Sequence, residues 1–244
     1  MQDPTRRSAA QRLSVAIAMS LAGYSGLAWE RAVRAQQKTP ADESPPAAAR
    51  DQPSTQGEPP AAIEGFRNAR FGMSEEQVRQ AVRKEFPSAA AKLASAVNPS
   101  EKTTVLSIGV ADLLPDTGAA RISYIFGYRS KQLIQINVVW ASADNGASDD
   151  TIIGTANSLR GYFASQNYQP DSVVANRQLA DNAILVFRAN DREGRTVLLV
   201  LSGGATAARS DDKKAPLPPP LTLRLSYILD AAHPDIFRIA KGQF

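Results

Sequence analysis

From Leu221 to Leu229 every second residue is large and apolar (Leu221, Leu223, Leu225, Tyr227, Leu229), with Thr222, Arg224 and Ser226 between them. Side chains alternate across a strand, so this two-residue period commits the segment to a sheet with one buried face and one wet face. Arg121 to Phe126 repeats it, setting Ile122, Tyr124 and Phe126 against Arg121 and Ser123. Gln132 to Trp140 sets Ile134, Ile136, Val138 and Trp140 against Gln135 and Asn137. Thr103 to Val110, Ala183 to Arg188 and Arg195 to Leu201 are β-branched and apolar, and Asp171 to Ala175 is a weaker strand candidate. Two hairpin-length links, Gly127 to Lys131 and Asn190 to Gly194, make the strands around them antiparallel neighbours.

Two segments carry the helical period instead. Ser74-Glu75-Glu76-Gln77 is a capping box, followed by Val78, Ala81, Val82 and Phe86 on one face. Pro87 marks the stop, and the alanines of Ala89 to Ala96 predict a further turn or two of helix. Beyond the Asn145-Gly146 turn, Ser148, Asp149 or Asp150 caps a second helix whose face holds Ile152, Ala156, Leu159 and Phe163. The order is α-β-β-β, then α-β-β-β-β. This is an α+β protein, its helices packed on one face of antiparallel sheet, with two quasi-repeats at about 63–141 and 148–244. One shared sheet is expected, because neither half alone buries much surface.

The first 62 residues do not read as part of that body. Arg6, Arg7 and Arg12 precede an uncharged apolar run, Leu13 to Leu27, and Val33-Arg34-Ala35 offers a cleavage site before Gln36. This is the order of a secretory signal peptide over residues 1–35. About 15 apolar residues fall short of the ~20 that a stable span needs, so a retained anchor facing the periplasm is the alternative. Residues 36–62 are rich in Pro and Ala, lack aromatics and read as a disordered linker, leaving 63–244 as a single domain. The expected location is the periplasm or the exterior, with membrane contact only through the leader if it stays.

Phe71-Gly72-Met73-Ser74-Glu75-Glu76-Gln77-Val78 resembles the helix opening of the BamE family, small envelope proteins of the outer-membrane assembly machinery. Tyr124-Ile125-Phe126, a turn, then Leu133-Ile134-Gln135-Ile136 is similar to that family's paired strands. The tandem helix-plus-sheet order resembles the secreted β-lactamase-inhibitor protein, which doubles a comparable unit. Both resemblances imply an envelope or secreted protein that works by binding another protein.

The composition excludes several chemistries. There is no cysteine, hence no disulfide, thiolate nucleophile or lipid-modified N-terminal Cys, and there is one histidine, His233. Five of the 28 basic and two of the 24 acidic residues precede residue 36, so the rest is close to neutral. That argues against nucleic-acid binding, which needs many clustered phosphate contacts. No phosphate loop, dinucleotide turn, nucleophile elbow or zinc-protease helix is present. Asp149-Asp150 reads as a helix cap, Asp211-Asp212 as a solvated loop, and Asp181, Asp191 and Glu193 as turn residues. Asp230, His233 and Asp235 are the one acid–base grouping worth naming, and an exposed turn is the plainer reading. Trp140, Tyr124, Phe126 and Tyr227 read as core.

No catalytic residue, cofactor or metal is expected. The candidate interaction elements are a long loop, Gly203 to Pro220, through Arg209, Lys213, Lys214, Pro218 and Pro219, and a tail through Phe237, Arg238 and Phe244. The tail also reads as an added edge strand. The function so implied is that of a non-catalytic interaction or assembly module with an envelope protein partner. The alternatives are a periplasmic small-ligand or lipid-binding module and, third, an enzyme of unfamiliar type.

Overall fold

In the computed structural model the described residues are 59–111, 113–142, 147–180, 182–204, 219–239 and 242. The leader and residues 36–58 of the linker lie outside them. A small hairpin, β1 (Gly65–Phe66) and β2 (Ala69–Arg70), precedes α1 (Glu75–Glu85). Then come β3 (Ala94–Val97), β4 (Thr104–Val110), β5 (Ala120–Phe126) and β6 (Leu133–Ala141). After α2 (Asp149–Ala164) follow β7 (Val174–Ala180), β8 (Ala183–Asn190), β9 (Thr196–Ser202) and β10 (Thr222–Ile228). β3 to β10 form one eight-stranded antiparallel sheet in the order β3-β4-β5-β6-β10-β9-β8-β7. The protein is α+β.

Both helices start where their caps dictate. The Ser74 hydroxyl accepts from the Gln77 N–H (3.4 Å), and the Gln77 side chain accepts from the Ser74 N–H (2.8 Å). Glu75 and Glu76 lie at the positive end of the helix dipole, Arg83 and Lys84 at its negative end. Gly72, at φ +81°, takes the left-handed turn that aims the chain at β6. There the Gly72 N–H donates to the Leu133 carbonyl (3.0 Å) and the Leu133 N–H to that of Met73 (2.8 Å). In α2 the cap is Ser148, whose hydroxyl accepts from the Thr151 N–H (3.1 Å).

Ala89 to Ala96 does not extend α1. A three-residue 3-10 turn, Ala90–Lys92, leads into β3, whose Ala94 to Val97 pair with Ser107 to Thr104 of β4. A ladder that supplies partners for otherwise bare backbone groups of β4 outweighs the weak helical preference of alanine. Each helix is therefore followed by four strands; the first set has one more than expected. The weak candidate at Asp171 resolves into a 3-10 turn, Pro170–Ser172, followed by all of β7.

Alternation decides which residues face the core, interrupted by register shifts in the β5–β6, β7–β8 and β8–β9 ladders. Leu106, Tyr124, Ile136, Tyr227, Val197 and Ala189 stand side by side across six strands. So do Ile108, Ile122, Val138, Leu225, Leu199 and Phe187. Together with Val78, Val82, Ile152, Ala156 and Phe163 of the helices they belong to one hydrophobic core. Between β5 and β6 the register jumps from Ile125↔Gln135 to Phe126↔Leu133. Ile134 is the extra residue. It is half-exposed, and Leu133 takes the buried place that simple alternation would give to Ile134.

The chain before the hairpin is tied to the far half of the sheet. Ala61 already donates its N–H to the Asn167 carbonyl (2.8 Å), and Ile63 is buried in the core. The Ile63 N–H donates to Asp191 Oδ2 (2.9 Å), in the turn between β8 and β9. Asp191 Oδ1 accepts from the N–H groups of Glu193 and Arg195 (2.9 Å each). One carboxylate thus closes a hairpin and holds a segment 128 residues away.

Candidate interaction surface

The strand registers place a second set of side chains on the face opposite the core. One row runs Ser107, Ser123, Asn137, Ser226, Leu198, Arg188, and the next Arg121, Val139, Arg224, Val200, Leu185, Arg177. None of these residues belongs to the core cluster, and none of the helical residues described above packs among them. The middle of the face is small and polar. Ser107 and Ser123 hydroxyls lie 3.3 Å apart, and the Gln135 amide donates to Asn137 Oδ1 (2.9 Å). Ser123, Asn137, Ser226, Val200 and Leu185 are buried, while Val139, Leu198 and the arginines Arg121, Arg188 and Arg224 remain half-exposed.

The charge on these strands has one sign. β3 to β10 contain four arginines (Arg121, Arg177, Arg188, Arg224) and no aspartate or glutamate. Each arginine pairs across its ladder with a residue of the non-core face, so all four share that face. Burial lowers the Arg188 pKa from its ordinary value. Strand alternation in the sequence puts Arg121 and Arg224 on wet faces. That they lie in one row, with only Val139 between them, follows from the β6·β10 pairing, which joins the last strand of each half.

The loop and the tail fare differently. Arg209, Lys213, Lys214 and Pro218 lie outside the described residues. Pro219 is described at the loop's end, where its carbonyl accepts from the Gly204 N–H (2.8 Å). Gly203, at φ +84°, passes so close to the Pro220 carbonyl that a Cβ would sit 2.2 Å from it. The loop therefore departs and returns at one pinched point.

Residues 234–239 form no strand. They cross the hairpin turns beside β4 and β5 as an irregular strap, because those turns offer better partners than a sheet edge does. Asp235 accepts from the N–H groups of Arg129 (3.0 Å) and Ser130 (2.8 Å), and its carbonyl accepts from that of Tyr128 (2.8 Å). Phe237 packs edge-on against Tyr128 (5.5 Å between centroids) beneath the Lys102 ammonium (3.9 Å), and donates its N–H to the Glu101 carbonyl. Arg238 is exposed, and Phe244 lies outside the described residues.

The three acid–base candidates do not converge. Asp230 caps the turn at Ala232 and His233 (3.0 and 2.8 Å to their N–H groups), while Asp235 faces the β5–β6 turn. His233 Nδ1 is 3.7 Å from Asp230, and its side chain is 88% exposed. Asp149 and Asp150 occupy the first turn of α2, and Asp181, Asp211 and Asp212 lie outside the described residues. Among the described residues no group of His, Asp and Glu is arranged to hold a metal ion, and no helix is long and apolar enough to cross a membrane. No protein-family model, no curated protein and no solved structure matches this chain.

Proposed function

We propose that this is an exported cell-envelope protein that works without catalysis, holding a protein partner against the non-core face of its sheet. One observation carries the reading. The eight strands bury one face in a core shared with both helices, and the other presents half-exposed aliphatic and arginine side chains around a polar centre. A partly apolar surface with Arg and little other charge has the composition of a docking site.

The leader at 1–35 and the linker after it support the location. The chain reads as two quasi-repeats, α1 with β3–β6 and α2 with β7–β10, whose last strands pair. In this reading the resemblance to the doubled β-lactamase-inhibitor unit and to the BamE helix opening concerns architecture and a shared way of working, by contact. Fractionation of the native producer, with the N-terminal residue of the protein determined, tests the location: an intact Met1 in the cytosol overturns it. A photo-crosslinker placed at Val139 or Leu198, with Ile153 on the exposed side of α2 as control, tests the face. Adducts from the sheet positions are expected, and equal yields from Ile153 refute the assignment.

A further inference from the structure

We infer that two copies of this chain join through β3, edge to edge and antiparallel, so that one sheet continues into the other. This edge lies apart from the sheet face proposed above for an envelope partner. Among the described residues β3 and β7 are the outermost strands of the sheet. All four residues of β3 are exposed, Val97 to 64%. The Asn98 N–H donates to the Thr103 carbonyl (2.8 Å), which fixes the phase of the β3–β4 ladder. Bonded and non-bonded pairs alternate along an antiparallel ladder, so the backbone groups of Ala94 and Ala96 face β4. The N–H and C=O groups of Ser95 and Val97 then point outwards, and their natural complement is the backbone of another strand.

The two edges treat such a strand differently. β7 carries Arg177, a left-handed Asn176 (φ +53°) to which Arg160 donates (2.9 Å), and a register shift between Gln178 and Ala180. Charge and irregular backbone keep an edge from pairing. β3 has neither: Ala94-Ser95-Ala96-Val97 is uncharged, contains no proline and pairs with β4 in unbroken register.

A second copy fits this edge. With Ala96 on the two-fold axis, Ser95 of each copy faces Val97 of the other, and both pairs exchange main-chain hydrogen bonds. Ser95 stands opposite Leu106 of the core, so in this register both cores fall on the same side of the joined sheet. The side chains that meet are small and uncharged. The charges at the strand's two ends match as well. Lys92 precedes β3 and Glu101 follows it, so antiparallel pairing carries each towards its opposite on the other copy. Lys92 is exposed, and the Glu101 carboxylate accepts from the Asn98 amide (3.2 Å). An edge of four residues covers less surface than a permanent dimer needs, so the pairing is weak and grows with concentration.

Sedimentation equilibrium and backbone hydrogen exchange on the full chain, from about 1 μM to about 1 mM, test the pairing. The apparent mass is expected to rise towards that of a dimer. The Ser95 and Val97 amides should gain protection with concentration, while that of Ala96, bonded to β4, is protected throughout. S95P removes an outward donor and no bond to β4, so it should stay monomeric at unchanged melting temperature. A96K and A96E each set like charges opposite one another at the axis and should each weaken association about fivefold. An equal mixture of those two variants should pair more tightly than either alone. A chain that stays monomeric at every concentration overturns the inference. So does association that S95P leaves unchanged, or a mixture of A96K and A96E that pairs no better than its components.

Discussion

Asp191 is the most exacting place to test the physical account of this fold. It is 2% exposed, and its two oxygens accept from three backbone N–H groups, those of Ile63, Glu193 and Arg195, each at 2.9 Å. Replacing it with alanine leaves all three without an acceptor. The Ile63 N–H is buried, so its loss costs about 2 kcal/mol. The other two lie nearer solvent and regain water, at about 1 kcal/mol each. The sum, about 4 kcal/mol, is a large part of the 5–15 kcal/mol that separates folded from unfolded domains. For a chain of this size it corresponds to a fall in melting temperature of about 10 °C.

Asparagine separates the contributions. Its carbonyl oxygen still serves Glu193 and Arg195, but its amide turns a donor towards the Ile63 N–H, so D191N should lose about 2 kcal/mol. Urea unfolding gives the two values, and hydrogen exchange at Ile63 reports which contact was lost. The expected order is wild type above D191N above D191A, with the Ile63 amide unprotected in both variants. A D191A protein within about 1 kcal/mol of wild type would refute the clamp, as would protection at Ile63 that survives it.

Thr103 is fully buried and its hydroxyl has no hydrogen-bond partner among the described residues, so T103V, which keeps the shape and removes the stranded group, should raise stability by about 1 kcal/mol in urea. Asp235 responds to acid. Partial burial would raise its pKa, but the hydrogen bonds from Ser130 and Arg129 and the Arg129 charge outweigh that and hold it below the ordinary 3.8. Its contribution is present above about pH 4 and lost as pH falls through the lower folded value, so the Arg129 and Ser130 amides should lose protection there and D235N should abolish the step. At the alkaline end Tyr168 is pushed up to about 12 by burial, then by the neighbouring Tyr162 and Asp191. Because that raises the folded value above 10, stability should fall between pH 10 and about 12, in step with tyrosinate absorbance, and a flat profile there would contradict the burial.

Local signals were enough for the helices and for most strands. Ser74 with Gln77, and Ser148 before an apolar helical face, announce their caps within four residues, because capping bonds are made between near neighbours. Strict alternation in β5 and β10 identified the core-facing set for the same reason, but not the wet face, since Ser123 and Ser226 opposite the core are buried as well. β3 was illegible because its four small residues are strand only by virtue of β4 beside them, and the Ile134 bulge because it depends on what β5 places opposite. Asp191 reads as a turn residue, and nothing nearby in sequence reveals that it also holds Ile63.

The same boundary runs through the candidate site. By itself the sequence determined that Arg121 and Arg224 lie opposite the core-facing residues of their strands, that no cysteine chemistry is available, and that two helices accompany antiparallel strands. The tertiary structure decided that β6 pairs with β10, and so that four arginines from both halves share one surface free of strand carboxylates. Periodicity is a property of consecutive residues and survives in any fold. Adjacency between residues a hundred positions apart exists only once the chain has closed those contacts, and here that adjacency makes the surface.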